Sequence, residues 1–118
     1  MNNLNIQLEQ CRSNILYLFK EKVRIQHSSI ILMEAKGNYT LIHLKNEKKM
    51  LIAKTLKSLE KNLNNNQFYR IHRTFLINRT YLMSYNSSLG EVLLTDNHVV
   101  NTSRRKKDTF ERQMSKII

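Results

Sequence analysis

The chain has 118 residues, of which 41% are hydrophobic, and its 20 Lys and Arg against 9 Asp and Glu give a formal net charge of +11. That length fits one domain with a hydrophobic core, and that charge favours a polyanionic partner, with nucleic acid ahead of an anionic membrane surface. The lone cysteine, Cys11, excludes an intrachain disulfide framework and a cysteine metal cluster, so we expect a reducing, cytoplasmic setting.

The first predicted element is an amphipathic helix near the N-terminus, over residues 4–19. Apolar residues recur there at spacings of four and three, which is typical of a helix with one apolar stripe. The stripe consists of Leu4, Leu8, Cys11, Ile15 and Leu18. We expect residues 1–20 to form this helix or extension and residues 21–118 to form the main domain. The helix could pack on that domain, pair with a second copy to form a homodimer, or dock on a separate sensor or receiver protein.

The next part of the chain is predicted to consist mainly of strands. The segments VRIQHSSIILMEA, YTLIHLKN and KKMLIAK are short runs rich in apolar and β-branched residues, as strands are. The sequence KGN at 36–38 predicts a tight turn. In TLKSLEKNL, the residues Leu56, Leu59 and Leu63 follow Thr55, which is a suitable N-cap. This segment therefore predicts a helix of about two to three turns.

The stretch FYRIHRTFLINRTYL, residues 68–82, places basic side chains between large apolar ones. These side chains are Arg70, His72, Arg73 and Arg79. No acidic residue occurs between Glu60 and Glu91. The apolar spacing suits both a helix and a strand, and we predict extended structure with a helical turn near 78–81. We expect the apolar residues to enter the core and Arg70, His72 and Arg73 to face a phosphate-bearing partner, which carboxylates would repel.

The remaining sequence predicts a hairpin and a basic segment. EVLLTDNHVV has the pattern of two strands joined by a turn at Asp96 and Asn97. NTSRRKKDTFERQMSKII reads as a basic loop that leads into a short helix or tail. The whole chain is therefore predicted to be mostly β, with one small internal helix and an N-terminal helix.

Catalysis and membrane insertion find little support in the sequence. The histidines are scattered without metal-ligand spacing, and there is no glycine-rich phosphate loop. The longest apolar runs, 15–19 and 30–33, are too short to cross a bilayer, and the N-terminus lacks a signal-peptide pattern. We therefore predict no enzyme activity, no metal, no cofactor and no membrane partner.

Nucleic-acid binding fits the sequence better. Arginine can donate two hydrogen bonds to guanine, asparagine can bind adenine in the same way, and basic residues near phosphates add affinity. Suitable residues occur in turns and strand ends, at 36–39, 70–74 and 103–107, where loops on a rigid β scaffold could present them. Charge alone would also allow a non-specific basic protein associated with RNA or the ribosome.

Four segments resemble the LytTR DNA-binding domain of bacterial transcription regulators. They are IILMEAKGNYTLIHL, TLKSLEKNL, FYRIHRTFLIN and VNTSRRKK, and the resemblance covers residues 22–112. It implies an elongated, multi-stranded β fold with a small helix. It also implies loops that enter successive major grooves of double-stranded DNA, often at paired direct repeats, and bend the DNA.

The resemblance also assigns roles to individual residues. The positions that correspond to the base-contacting residues of the family are Asn38, Arg73 and Arg104. Those expected near the DNA backbone are Lys36, Tyr39, Arg70, His72, Thr74, Ser103, Arg105 and Lys106. The implied function is sequence-specific DNA binding by a transcription regulator. LytTR domains usually follow a receiver domain or a membrane segment and this chain shows neither, so phosphorylation within this chain is not expected to switch it.

Overall fold

The computed structural model describes residues 14–64 and 66–115. Within these residues the chain forms ten strands and two α-helices. The strands are β1 Ile15–Leu18, β2 Val23–Gln26, β3 Ile30–Lys36, β4 Tyr39–Leu44, β5 Lys49–Ile52, β6 Phe68–Arg70, β7 Phe75–Asn78, β8 Leu82–Asn86, β9 Glu91–Leu94 and β10 His98–Asn101. The helices are α1 Leu56–Glu60 and α2 Arg104–Ser115. The predicted mostly-β fold with a small internal helix is therefore confirmed.

The strands form three antiparallel sheets. The largest has the order β5-β4-β3-β7-β6, the second has the order β10-β9-β8, and β1 pairs with β2. β3 lies at the centre of the largest sheet, between β4 and β7. Its first four residues are all buried, which explains the continuous apolar run IILM at this point of the sequence.

The five-stranded sheet contributes to two hydrophobic cores. Ile30 and Met33 of β3 belong to a core that also contains residues of β1, β2 and α1. Ile31 and Leu32 belong to the other core, which contains Phe110 of α2 and residues of β9 and β10. Simple alternation would separate Ile31 from Leu32, but the pairing register with β4 shifts between residues 30 and 32. β3 therefore holds the two halves of the domain together.

The internal helix and the turns form where the sequence predicts them. The Thr55 hydroxyl accepts a hydrogen bond from the Ser58 amide at 3.2 Å, so Thr55 caps α1 as expected. Gly37 has a φ of +63° in the turn between β3 and β4. Asp96 and Asn97 both have positive φ in the turn of the β9–β10 hairpin. A 3-10 turn at Arg79–Tyr81 matches the helical turn predicted near 78–81.

The helix predicted over residues 4–19 is wrong for Ile15–Leu18, which form β1. Residues 4–13 lie outside the described part of the chain. β1 pairs with β2 along its whole length, and burial alternates, with Leu16 and Leu18 in the core. Burial therefore follows the two-residue period of a strand, although the three-residue spacing between Ile15 and Leu18 also fits a helix. The boundary between an N-terminal element and the main domain at residue 20 remains a prediction. β1, which lies before that boundary, shares a hydrophobic core with the five-stranded sheet.

The C-terminal region is more helical than the sequence predicts. The expected basic loop at 103–107 is largely the first turn of α2, a helix of 12 residues. Phe110 is fully buried and its ring contacts Tyr69 and Tyr85, with centroids 6.0 and 5.1 Å away. This anchor attaches α2 to the domain. Neither described helix is long and apolar enough to span a bilayer.

Candidate nucleic-acid interface

Three predicted segments meet at one end of the five-stranded sheet. We call them the 36–39 turn, the 71–74 loop and the α2 start, residues 103–106. The Ala35 amide donates a hydrogen bond to the Thr74 carbonyl at 2.8 Å, which places the 71–74 loop beside the end of β3. The Ser103 amide donates to the Ile71 carbonyl, also at 2.8 Å, and brings the α2 start to the same loop. The sequence predicts the segments, and the backbone pairing assembles them.

The 36–39 turn is a tight loop with exposed polar and aromatic side chains. Lys36 pairs with Tyr39 across the β3–β4 hairpin, so Gly37 and Asn38 alone form the connection. All four residues are exposed. Glycine tolerates the positive φ at position 37, and the sharp reversal leaves Asn38 at the tip.

A carboxylate behind the 36–39 turn is already paired. Glu34 accepts from the Lys36 ammonium at 3.1 Å and lies 3.1 Å from Nε2 of His43. Burial raises the pKa of Glu34, but the hydrogen bonds to His43 and Lys36 outweigh this effect, so its pKa is below the ordinary value. The His43 ring is buried and packs 4.9 Å from that of His98, so His43 is a packing residue.

The 71–74 loop exposes Arg73 to solvent, whereas His72 and Thr74 are half-buried. Arg73 is exposed, and its guanidinium has no partner among the described residues. The Nδ1 atom of His72 accepts from the Thr74 amide at 3.0 Å, so its proton is on Nε2 in the neutral form. Thr74 is half-buried and its carbonyl accepts from Ala35.

Arg70 differs from Arg73 because its guanidinium is fully engaged within the domain. It donates to the Glu60 carboxylate at 2.5 Å, to the His72 carbonyl at 2.8 Å and to the Arg73 carbonyl at 2.6 Å. The stretch 68–82 has no acid of its own, and the compensating carboxylate comes from the last residue of α1. The predicted contact between Arg70 and the DNA backbone remains untested, and the structure gives this side chain other partners.

The α2 start presents three consecutive cations. Ser103 is half-buried and its hydroxyl accepts from the Lys106 amide at 3.2 Å, which makes it the N-cap of the helix. Arg104, Arg105 and Lys106 are exposed in the first turn. The free backbone amides of a helix N-terminus add positive potential to these charges. The α2 start is therefore strongly attractive to an anion.

Sequence reasoning missed two residues, one beside the 71–74 loop and one at the far end of β7. Glu60 neutralises Arg70, and its position as the last acid before a long acid-free stretch was the available signal. Asn78 is fully buried at the far end of β7, and nothing local distinguishes it from an exposed asparagine. Its Nδ2 atom donates to the carbonyls of His27 and Ile30, at 3.1 and 2.8 Å.

These features define a basic β domain that presents polar segments at one end, which is typical of a nucleic-acid-binding module. Among the described residues, no group of three His, Cys, Asp or Glu side chains could hold a metal ion. The family model of the LytTr DNA-binding domain matches residues 20–115. The chain therefore belongs to the LytTR DNA-binding domain family, which is a family of DNA-binding domains and not of enzymes.

A solved structure agrees with this assignment. A LytTr DNA-binding domain from Bacillus cereus matches with a TM-score of 0.72 and 18% sequence identity. The match covers 86% of this chain and 96% of that one. At this identity the likeness establishes the fold alone. No curated protein matches the chain.

Proposed function

We propose that this domain binds double-stranded DNA in a sequence-specific manner, through loops in the major groove, and acts as a transcription regulator. One observation carries the proposal. Asn38, Arg73 and Arg104 are exposed on three segments that backbone hydrogen bonds hold side by side. None of the three side chains has a partner among the described residues. Such groups are free to bind base edges, while the scaffold fixes their spacing.

We assign base recognition to these three residues. The guanidinium groups of Arg73 and Arg104 can each donate two hydrogen bonds to O6 and N7 of guanine. The amide of Asn38 can donate to and accept from adenine. Each good contact of this kind is worth about 1–3 kcal/mol of discrimination against a wrong base.

We assign DNA-backbone contacts to the residues around them. These are Lys36, Tyr39, His72, Thr74, Ser103, Arg105 and Lys106. Glu34 and Glu60 are each paired with a cation, so their repulsion of phosphate is reduced. If about five to eight phosphates are neutralised, log K should fall against log salt concentration with a slope of about −4 to −7.

Selection of bound sites from random duplex DNA tests the proposal. The selected site should be bound at least about a thousandfold more tightly than random duplex, with the salt slope given above. A slope near zero would contradict nucleic-acid binding altogether. Equal affinity for all duplexes, with a preference for single-stranded RNA, would instead favour a non-specific RNA-associated protein.

We further propose that two copies occupy paired direct-repeat half-sites. Three base-reading residues specify about three base pairs, a sequence that recurs about every 64 base pairs by chance, so one half-site cannot mark a promoter. Two half-sites would supply the missing information. The selected DNA should then contain the same short motif twice at fixed spacing, and a single motif in every selected sequence would contradict pairing.

The homodimer contact expected through residues 4–18 cannot include Leu16 and Leu18, which are buried in the core of the domain, so residues 4–13 provide the candidate contact between the two copies. Leu8→Asp should abolish a dimer in sedimentation and weaken binding to a double site much more than to a single half-site, because a linked second domain binds at high effective concentration. Asn5→Asp is the charge-matched control. Wild-type protein that sediments as a monomer with and without DNA would contradict this contact. The remaining alternatives would then be that the N-terminal segment packs on the domain or docks on a separate sensor or receiver protein.

A further inference from the structure

The backbone of the 71–74 loop is held almost entirely by groups outside it. The carbonyl of Ile71 accepts from Ser103, and that of Thr74 accepts from Ala35. The remaining two carbonyls, those of His72 and Arg73, accept from the guanidinium of Arg70. All four loop carbonyls therefore have a donor, and one side chain serves two of them.

The contact to Arg73 is the most consequential of these. Among the described residues, the Arg73 backbone has one hydrogen bond, which its carbonyl accepts from the guanidinium of Arg70 at 2.6 Å. The Arg73 side chain points away from the core and is exposed. Without Arg70, the backbone of the residue that carries the proposed guanine-binding group would have no direct anchor in the domain.

Glu60 fixes the orientation of Arg70. The carboxylate accepts from one terminal nitrogen of the guanidinium at 2.5 Å, and the other terminal nitrogen and Nε then face the two loop carbonyls. The guanidinium is planar, so fixing one edge fixes the direction of the other donors. Glu60 is the last residue of α1, which the buried Leu56 and Leu59 attach to the core. The chain of contacts thus runs from the core through Glu60 and Arg70 to Arg73.

We propose that Arg70 and Glu60 are positioning residues, which preorganise the 71–74 loop so that Arg73 can read a base, and that Arg70 does not contact DNA. This inference rests on the proposed function of Arg73. A loop that is ordered before binding loses less conformational entropy on the DNA, and the gain is largest where geometry matters most, at a two-bond contact with one base. The pair therefore contributes to selectivity more than to general affinity.

Glu60→Gln tests this proposal because its two possible effects change different quantities, the affinity for every duplex and the ratio of affinities for selected and random duplex. Removing a negative charge near DNA strengthens binding to every duplex by simple electrostatics. Loss of the charged partner of Arg70 should instead lower the ratio of affinities for selected and random duplex, by about tenfold. Glu47→Gln is the matched control, since Glu47 is exposed at the other end of β4. A Glu60→Gln variant with unchanged selectivity would overturn the proposal.

Arg70→Lys separates positioning from phosphate binding. Lysine binds phosphate well as a point charge but cannot hold three acceptors in a planar arrangement. We expect the lysine variant to lose selectivity by about tenfold while its salt slope stays that of the wild type. Wild-type selectivity in the lysine variant would mean that the charge alone is needed, which overturns the proposal.

A double-substitution experiment shows whether the pair acts through Arg73. In an Arg73→Ala background, Glu60→Gln should cause no further loss of selectivity, because the group that it positions is gone. Additive losses would contradict the proposal. Amide hydrogen exchange in DNA-free protein gives an independent readout. The amide of Thr74 should exchange at least about tenfold faster in Glu60→Gln, at unchanged global stability. An unchanged exchange rate would count against preorganisation even if DNA recognition itself failed.

Discussion

The two ends of β7 use polar side chains in opposite ways. Arg73 precedes the strand, is exposed, and has a guanidinium without a partner among the described residues. Asn78 ends the strand, is fully buried, and satisfies its amide through His27, Ile30 and the Thr80 amide. Within one short strand the chain therefore passes from groups left free for a ligand to groups that hold the fold together. The comparison separates residues whose loss should affect recognition from those whose loss should affect folding.

The largest expected effect is at the buried end. Asn78→Ala leaves two carbonyls and the Thr80 amide without their side-chain partner, which should lower the free energy of unfolding by about 3–5 kcal/mol. Urea denaturation measures this loss. Asn101→Ala, at an exposed position in β10, is the control and should change stability by less than about 0.5 kcal/mol. A similar small change for Asn78→Ala would remove the contrast between the two ends.

The next largest effects are at the exposed end and concern DNA. Arg73→Ala and Arg104→Ala should each lose about 1–3 kcal/mol of binding free energy on the selected site and relax preference at particular base pairs. Their unfolding free energies should stay close to that of the wild type. Lys106→Ala should weaken binding to all sequences roughly alike, and Arg79→Ala, beyond the far end of β7, should change little. Equal losses on selected and random DNA would show that Arg73 and Arg104 do not read bases.

The 36–39 turn adds a smaller contribution to stability at the exposed end. Gly37→Ala puts a side chain on a residue with a φ of +63°, which should cost about 1–2 kcal/mol, although its Cβ would meet no atom within 4 Å. Gly90→Ala should cost more, because its φ is +66° and its Cβ would lie 3.0 Å from Oγ1 of Thr102. Thermal unfolding of the two variants compares backbone strain alone, in Gly37→Ala, with backbone strain plus a close side-chain contact, in Gly90→Ala. A Gly37→Ala variant as stable as the wild type would mean that the turn adjusts without cost.

Acidification should produce a smaller effect at the buried end. Burial lowers the pKa of His27 from its usual 6.5, and neither ring nitrogen has a hydrogen-bond partner among the described residues. The unfolded chain therefore binds a proton more readily. The stability that neutral His27 contributes is fully present above the unfolded pKa and is lost as pH falls from that value through the lower folded pKa. Burial also lowers the pKa of His43.

His27→Leu isolates the contribution of one histidine to this acid sensitivity. Unfolding free energies at about pH 7.5 and pH 5 should differ less for the variant than for the wild type, because one buried protonation is removed. His72→Leu, at a half-buried residue of the 71–74 loop, serves as the control. If the pH dependence were the same for wild type and His27→Leu, the acid sensitivity would lie elsewhere.

The sequence by itself determined the features that depend on neighbouring residues. The cap at Thr55, the turns at Gly37 and Asp96, and the strand-like runs follow from preferences that act over a few residues, and they appear where predicted. The motif around Arg73 also carried the family assignment, because its residues are close together in the chain. No tertiary contact was needed for these inferences.

Only the tertiary structure decided the roles of residues whose partners are distant in the chain. Ile15 and Leu18 lie in a strand because β2 pairs with them, although their spacing also suits a helix. Arg70 and Arg73 look equivalent in the sequence, but Glu60 reaches only one of them. Asn78 is buried because two carbonyls, 51 and 48 residues earlier in the chain, face its amide. Local preferences contain no information about which distant groups will meet, and the free energy of satisfying buried polar groups is settled only when they do.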